Sequence, residues 1–243
     1  MIRLSVNINK IATLRNARGG NIPDVIQCAQ SIENFGADGI TVHPRPDERH
    51  IRKTDVYKLK EVLNTEFNIE GYPTENFLKM MHDVKPTQVT LVPDPPDALT
   101  SQSGWDCKTH LSFLQEVVEY LKKIPVRVSI FLNAEPEQVF YAALTGADAV
   151  ELYTEPYAKA WEQSEKSKQQ VFTLYQETAK AALEKKLHVH AGHDLNLKNL
   201  SYLAKNLPGL VEVSIGHALI SDSLWYGLQN TIGMYKRCLR INA

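Results

Sequence analysis

The chain has few cysteines, no long apolar run and almost no net charge. Its three cysteines, Cys28, Cys107 and Cys238, are far apart and odd in number, so they give neither a disulfide framework nor a metal-binding spacing. No run reaches the ~18 apolar residues of a membrane span, and the N-terminus has no signal-peptide pattern. A net charge of −1 gives no strong attraction to nucleic acid or anionic membranes. We therefore expect a reduced, soluble, cytoplasmic protein that binds neither nucleic acid nor membrane.

Two further absences concern domain organisation and fold. No linker rich in Pro, Gly and Ser divides the chain, so we expect a single domain over residues 1–243. No G-x-G-x-x-G motif follows the first predicted strand, which disfavours a doubly wound, dinucleotide-binding sheet.

What the chain does have is a repeated unit of short apolar strand, polar residue and amphipathic helix. The predicted strands are Arg3–Ile8, Gly39–Pro44, Phe67–Tyr72, Gln88–Pro93, Val126–Asn133, Ala149–Thr154, His188–His193 and Val211–His217. They alternate little between apolar and polar residues, which is typical of parallel strands buried on both faces. Eight such units in 243 residues predict a (β/α)8 TIM barrel, a fold that typically needs about 250 residues. A doubly wound open sheet is the alternative.

Helical patterns separate the strands. They cover Ile22–Phe35, Glu75–Val84, Leu111–Leu121, a segment from Glu135 to Gly146, Ser164–Lys186, Asn196–Asn206 and Ser221–Leu239. The same turn, Gly-Ala-Asp, leads into strands two and six at Gly36–Asp38 and Gly146–Asp148, which hints at a half-barrel repeat. We expect the three tryptophans, Trp105, Trp161 and Trp225, to serve in packing.

Polar residues at the strand ends predict where the chemistry lies, because TIM barrels place their active sites at the carboxyl ends of the strands. The segment His43–His50 holds two His, two Arg and two acids, and its two prolines make it a stiff loop. It predicts an anion clamp with a general acid or base; a solvated charged loop is the alternative. Glu70 ends strand three, where burial would raise its pKa and suit it as a general base; the alternative is an ion-pair partner.

The remaining strand ends predict phosphate and proton chemistry. Asn7 and Asn9 alternate onto one face of strand one, and the loop after them brings Arg18 beside two glycines. His188 and His190 share a face in a metal-like spacing, but without a clear carboxylate partner we favour packed barrel histidines. His193 follows Gly192 and should face the cavity. Gly216-His217 before a helix is typical of phosphate binding.

Four segments closely resemble the pyridoxine 5'-phosphate synthase family, and the resemblance extends over essentially the whole chain. They are Val6–Arg18, Gly36–Ile51, Ala191–His193 and Ile215–Ala218. The resemblance implies a cytoplasmic (β/α)8 barrel that assembles as a homo-octamer. It also implies condensation of 3-amino-2-oxopropyl phosphate with 1-deoxy-D-xylulose 5-phosphate to pyridoxine 5'-phosphate, phosphate and water, with no metal and no organic cofactor.

The same resemblance implies roles for single residues. His43 and Glu70 are expected to accept protons, and His193 is expected to donate one. The implied contacts to substrate and phosphate are Asn7, Arg18, Arg45, His50, Thr100, Gly216 and His217.

The chain departs from the family pattern at two places. Many relatives have Asp-His where this chain has Asn9-Lys10, and relatives commonly have Gly where this chain has Asp194. We expect all three residues to remain substrate contacts, Lys10 through its charge and Asp194 through its backbone N–H, although a left-handed backbone would disfavour Asp.

Two other classes of function stay open at this point. One is a different phosphosugar barrel; an imine-forming aldolase would need a lysine inside the barrel, and an epimerase would need paired acids or a metal site. The other is a non-catalytic barrel that binds a phosphorylated ligand.

Overall fold

Eight parallel strands pair in sequence order and close into a barrel, in which the first strand hydrogen-bonds to the last. The computed structural model describes residues 1–94 and 103–240. The strands are β1 (Arg3–Asn7), β2 (Gly39–Val42), β3 (Glu66–Gly71), β4 (Gln88–Leu91), β5 (Arg127–Leu132), β6 (Ala149–Tyr153), β7 (His188–Gly192) and β8 (Leu210–Ile215). The closed barrel confirms the predicted TIM fold and places every carboxyl end of a strand at one mouth.

Helices surround the barrel and cover the outer faces of the strands. In the described part of the chain they are α1 (Asn9–Asn16), α2 (Val25–Asn34), α3 (Lys53–Val62), α4 (Glu75–Val84), α5 (Leu111–Leu121), α6 (Pro136–Leu144), α7 (Glu155–Trp161), α8 (Glu165–Glu184), α9 (Leu200–Asn206), α10 (His217–Tyr226) and α11 (Leu228–Cys238). Within the described ranges, no helix combines the length and the apolar character that crossing a membrane requires.

Apolar and polar residues alternate along the strands more than the sequence predicted. In β3, Phe67 and Ile69 belong to the apolar core, whereas Asn68 donates from Nδ2 to Thr41 Oγ1 at 3.3 Å. Gln88 Nε2 on β4 donates to Glu212 Oε1 on β8 at 3.3 Å, a bond that crosses the barrel because these strands are not neighbours. Both faces are buried, and the inner face is polar because several of its side chains hydrogen-bond to one another instead of to water, although Ser129 Oγ and both ring nitrogens of His190 have no hydrogen-bond partner among the described residues.

The helices differ from the predicted pattern in several places, and α3 and α7 were not among the predicted helices. The stretch after β1, expected to be a loop, forms α1 because Ile11, Ala12 and Arg15 are spaced to bury one helical face. The helix predicted over Ser221–Leu239 is two helices, α10 and α11. They separate at Gly227, whose φ of +73° is a backbone conformation that glycine adopts readily.

The repeated turn before β2 and β6 has the same structure in both places. Gly36 and Gly146 both have positive φ, at +96° and +82°. Asp38 Oδ2 accepts the backbone N–H of Leu4 at 2.8 Å, and Asp148 Oδ2 accepts that of Val128 at 2.7 Å. Each Asp therefore ties the entry of its strand to the strand before it.

Trp105 and Trp161 contact other aromatic rings, in agreement with a packing role. The same expectation is wrong for Trp225, which is 84% exposed near the end of α10.

Candidate active site

His43 and Glu70 meet at the mouth of the barrel, as their positions at strand ends predicted. His43 follows β2, Glu70 lies near the end of β3, and the His43 Nδ1 atom is 3.8 Å from Glu70 Oε2. Asn7, the last residue of β1, donates from Nδ2 to the same Glu70 oxygen at 3.5 Å. A separation of 3.8 Å is too long for a hydrogen bond, so His43 and Glu70 are neighbours and not a bonded pair.

Burial suppresses the charge of both groups. Removal from water is the largest cause that lowers the pKa of His43 well below its usual value, and the charge of Arg45 lowers it further. Burial, followed by repulsion from Asp94, raises the pKa of Glu70 to about 8. Near neutral pH the mouth therefore presents a neutral imidazole beside a protonated carboxyl group, although the contact resembles an ion pair by distance.

Asn9 is placed differently from the prediction. It does not continue β1 on the face of Asn7 but begins α1. Its Oδ1 accepts the backbone N–H of His43 at 3.0 Å, and its own backbone N–H donates to Asn7 Oδ1 at 3.0 Å. Asn9 thus ties the residue after β2 to the end of β1.

Two residues of the predicted anion clamp, Arg45 and His50, already form hydrogen bonds within the chain. Arg45 is buried, and its Nη2 donates to Asp94 Oδ2 at 2.8 Å. His50 Nδ1 accepts the backbone N–H of Ile51 at 2.9 Å, and burial lowers the pKa of His50 to about 4. Asp94 was not among the predicted site residues, although it follows β4 in the way that the other predicted residues follow their strands.

A cavity of about 230 Å³ opens beside this cluster. Its walls combine His43, Arg45 and Asp94 with the apolar side chains of Phe77 and Met80 from α4. A pocket with a few convergent polar groups on an apolar wall is typical of small-molecule sites.

His193 lies just after β7 on a turn of unusual backbone. His193 and Asp194 have φ of +79° and +58°. The His193 ring packs between Phe131 and Tyr153, with centroids 5.2 Å from each. Burial is the largest cause that lowers its pKa, and the Asp194 carboxylate opposes the shift. The charge of a protonated His193 lowers the pKa of His43, so the two imidazoles lie near each other at the mouth of the barrel.

The metal-like pair on β7 does not form a metal site. His188 is exposed at the start of β7, whereas His190 is buried within the strand. Both residues pair in regular register with β6, as expected for two histidines on one face of a strand. Across residues 1–94 and 103–240, no group of three or more His, Cys, Asp or Glu is arranged to hold a metal ion.

Of the predicted phosphate contacts, Gly216-His217 and Lys10 lie near this centre. His217 is the exposed first residue of α10, and a Cβ on Gly216 would lie 3.1 Å from Asn7 Cβ, so this turn adjoins β1. Lys10 is exposed, and its charge lowers the pKa of His50, so it also borders the mouth. Arg18 and Asp194 are exposed. Thr100 lies outside the described residues.

Glu151, in the middle of β6, lies inside the barrel. It is buried, and burial and the nearby Glu70 raise its pKa well above the usual range. A Cβ on Gly192 would lie 2.1 Å from Glu151 Oε1, so any larger residue there would require the carboxyl group to move, and this group lies against the turn of His193.

Comparison with known proteins gives matches over the full length. The family described as pyridoxal phosphate biosynthesis protein PdxJ matches residues 4–241. Pyridoxine 5'-phosphate synthase of Bacteroides thetaiotaomicron is 58% identical over 240 residues, which cover 99% of this chain and 100% of that protein. The enzyme of the same name from Cytophaga hutchinsonii is 56% identical with the same coverage.

Solved structures with low identity agree on the fold. Orotidine 5'-monophosphate decarboxylase from Methanocaldococcus jannaschii superposes with a TM-score of 0.66 at 11% identity, over 99% of this chain and 100% of that one. Phosphoribosyl anthranilate isomerase from Thermotoga maritima gives a TM-score of 0.59 at 12% identity, over 98% of each chain. At such identities the likeness extends to the barrel alone.

Proposed function

Because this chain belongs to the PdxJ family of pyridoxal phosphate biosynthesis proteins, we propose that His43, Glu70 and His193 perform the proton transfers of pyridoxine 5'-phosphate synthesis at its barrel mouth. The activity is that of a pyridoxine 5'-phosphate synthase, which condenses 3-amino-2-oxopropyl phosphate with 1-deoxy-D-xylulose 5-phosphate. The observation that supports the residue roles best is the neutral His43 beside a Glu70 with a pKa of about 8.

These protonation states suit a condensation that closes a ring. Joining an amine to a ketone and losing water requires protons to be both taken up and given back. A carboxyl group that titrates at about 8 exchanges protons in either direction near neutral pH. A neutral imidazole at His43 has a free electron pair to accept a proton, and a neutral His193 still has one ring N–H to donate.

Two phosphorylated substrates require two places for anions. The backbone at the start of α10, with Gly216 and His217, suits one phosphate, since helix N-termini favour anions. Lys10 and Arg18 are exposed cations that suit the other. Arg45 is held by Asp94, so we assign it to keeping its neighbours in place as well as to substrate contact.

An imine-forming aldolase is disfavoured by the barrel interior. In the described part of the chain no lysine is buried, and the inner face of β6 presents Glu151 and Tyr153. The amine nitrogen of a substrate can attack the ketone directly, so the reaction needs no lysine. We also propose, from the family resemblance, that the enzyme is a cytoplasmic homo-octamer that uses neither metal nor organic cofactor.

The test is to mix the purified protein with both phosphates and to measure pyridoxine 5'-phosphate and released phosphate together. Each substrate alone is the control for side reactions. We expect equal amounts of both products, and His193→Asn should lower turnover by ~10²–10⁴-fold while phosphate binding persists. Binding of both substrates without product would identify a non-catalytic barrel instead.

A further inference from the structure

We infer that Thr154 is a positioning residue for His193, because its side chain holds the turn that presents the imidazole. Thr154 follows β6, and the His193 turn follows the neighbouring strand β7. The inference rests on the proposed function only in taking His193 as the proton donor.

The turn after β7 has a backbone that its residues do not favour by themselves. His193 and Asp194 are consecutive non-glycine residues with φ of +79° and +58°. Left-handed backbone brings Cβ too close to the carbonyl oxygen, so L-residues seldom adopt it. Such a conformation persists where surrounding contacts fix it, and it is found most often at functional sites.

Thr154 supplies contacts at the start of this turn. Its backbone N–H donates to the Gly192 carbonyl at 2.9 Å, and its Oγ1 lies 2.7 Å from the same oxygen. The hydroxyl also hydrogen-bonds the His193 carbonyl. A hydroxyl has one proton, so the two carbonyls share it. Because Thr154 is fully buried, water cannot replace these bonds.

Thr154 lies at the start of α7, where its hydroxyl could cap the helix instead of bonding to the His193 turn. Thr154 is the N-cap residue of α7, where a threonine hydroxyl commonly accepts a hydrogen bond from a backbone N–H of the first turn. No side-chain capping bond is made at this N-cap, although the whole of α7 is described. The hydroxyl therefore hydrogen-bonds to the end of the neighbouring strand, β7, instead of capping its own helix.

Other residues hold the end of the turn, so Thr154 fixes one side of a defined structure. The Asp194 carbonyl accepts from Asn199 Nδ2 at 3.2 Å, and Asn199 is fully buried. The His193 side chain packs between Phe131 and Tyr153. A change of backbone at the start of the turn would move the imidazole against these rings.

Loss of the Thr154 hydroxyl should therefore slow the chemical step. A displacement of ~1 Å at a reacting group can cost about 100-fold in rate. We expect Thr154→Val to lower kcat at least about tenfold with KM for both substrates little changed. Thr154→Ser keeps the hydroxyl and should keep most of the activity.

The matched control is Thr178→Val. Thr178 is also fully buried, but its hydroxyl donates to the Leu174 carbonyl within its own helix, α8. Both valine variants lose one buried hydroxyl, so a difference in kcat between them reports position and not general stability. The NMR signals and titration of the His193 imidazole should change in Thr154→Val and stay unchanged in Thr178→Val.

A double variant tests the mechanism itself. Glycine adopts positive φ without strain, so Asp194→Gly should make the turn depend less on Thr154. We expect the loss of kcat caused by Thr154→Val to shrink to about threefold or less when Asp194 is already glycine. An equal loss in both backgrounds, or a Thr154→Val kcat within about twofold of the parent, would overturn the inference.

Two further outcomes are distinguishable. If Thr154→Val does not fold, Thr154→Ala enters the same comparison, because it removes the hydroxyl without placing a methyl group against the carbonyls. If His193→Asn turns over like the parent, the proposed donor role fails. The inference then stands or falls on the imidazole NMR signals, which report the position of His193 without reference to catalysis.

Discussion

At the scale of single residues, the mouth consists of titratable groups whose ordinary charges are suppressed by burial. His43 and His193 have lowered pKa values, and Glu70 has a raised one. Each shift favours the neutral form of the group, which is what removal from water does to acids and bases alike. Neutral donors and acceptors side by side allow protons to move between enzyme and substrate with little separation of charge.

The first prediction is that Glu70→Gln folds but turns over slowly. Glutamine keeps the shape of the side chain and loses the oxygen that exchanges a proton. We expect kcat to fall by ~10²–10⁴-fold, measured as product formed per folded molecule. If Glu70 were only an ion-pair partner, the variant would lose stability and keep its turnover.

The pH dependence of stability gives a second prediction for Glu70. The unfolded carboxyl ionises at its ordinary pKa of 4.5, whereas the folded one keeps its proton to about 8. The folded chain binds more protons than the unfolded chain in this window, so this group lowers stability as the pH rises through it. Between about pH 5 and about pH 8, the Tm of Glu70→Gln should therefore fall less than that of the parent. Parallel Tm curves would contradict the raised pKa.

At the scale of elements, the contact between the start of α1 and the end of β2 determines where His43 lies. Asn9 Oδ1 accepts the His43 backbone N–H, and Asn7 Oδ1 accepts the Asn9 backbone N–H. Since Asn7 also donates to Glu70, one chain of hydrogen bonds connects β1, α1, β2 and β3. The mouth is thus positioned by strand ends that are distant in sequence.

The third prediction follows from that chain of bonds. Asn9→Ala should lower kcat about tenfold with little change in KM, because it releases the backbone of His43. Asn9→Asp keeps the acceptor oxygen, so it should keep more activity. Its added charge should also raise the pKa of His43 and move the acid limb of the pH–rate profile upward.

Asn206→Ala is the control, since Asn206 is exposed and its side chain donates to the Tyr202 carbonyl within α9. A rise in KM without a fall in kcat for Asn9→Ala would show instead that Asn9 binds substrate.

At the scale of the whole molecule, ionic contacts connect the strands at the end of the barrel opposite the mouth. Arg3 lies 3.0 Å from Glu212 and 3.3 Å from Glu66, and Arg127 lies 2.7 Å from Glu66. These residues belong to β1, β3, β5 and β8, so the contacts cross the interior. In TIM barrels, residues at this face usually stabilise the fold, whereas residues at the opposite face carry out the chemistry.

The fourth prediction concerns Glu212, the buried member of these contacts. Glu212→Ala leaves two partly exposed arginines with one carboxylate fewer, and we expect a loss of about 2–3 kcal/mol in the free energy of unfolding, measured in urea. Glu137→Ala is the control, because Glu137 and Lys108 are both well exposed, and it should cost under about 1 kcal/mol. Equal losses would mean that burial adds nothing to the Glu212 contacts.

The sequence by itself determined the barrel and the identity of most groups at its mouth. Strand and helix patterns are local, and eight successive repeats leave few ways to bury every strand. His43, Glu70 and His193 were found because the carboxyl ends of parallel strands converge at one edge, so their position along each strand was enough. The catalytic roles of these three residues and all the predicted substrate and phosphate contacts stay predictions.

Only the tertiary structure decided what these groups are bonded to and which charge they hold. The polar interior, the Arg45–Asp94 pair, the Asn9 bond to His43 and the Thr154 bonds to the His193 turn all join residues that lie on different strands or just after them. A pKa likewise depends on burial and on charges that closure of the barrel brings near. Local sequence patterns do not encode these distances, because they arise only when β8 pairs with β1 and the eight strand ends meet.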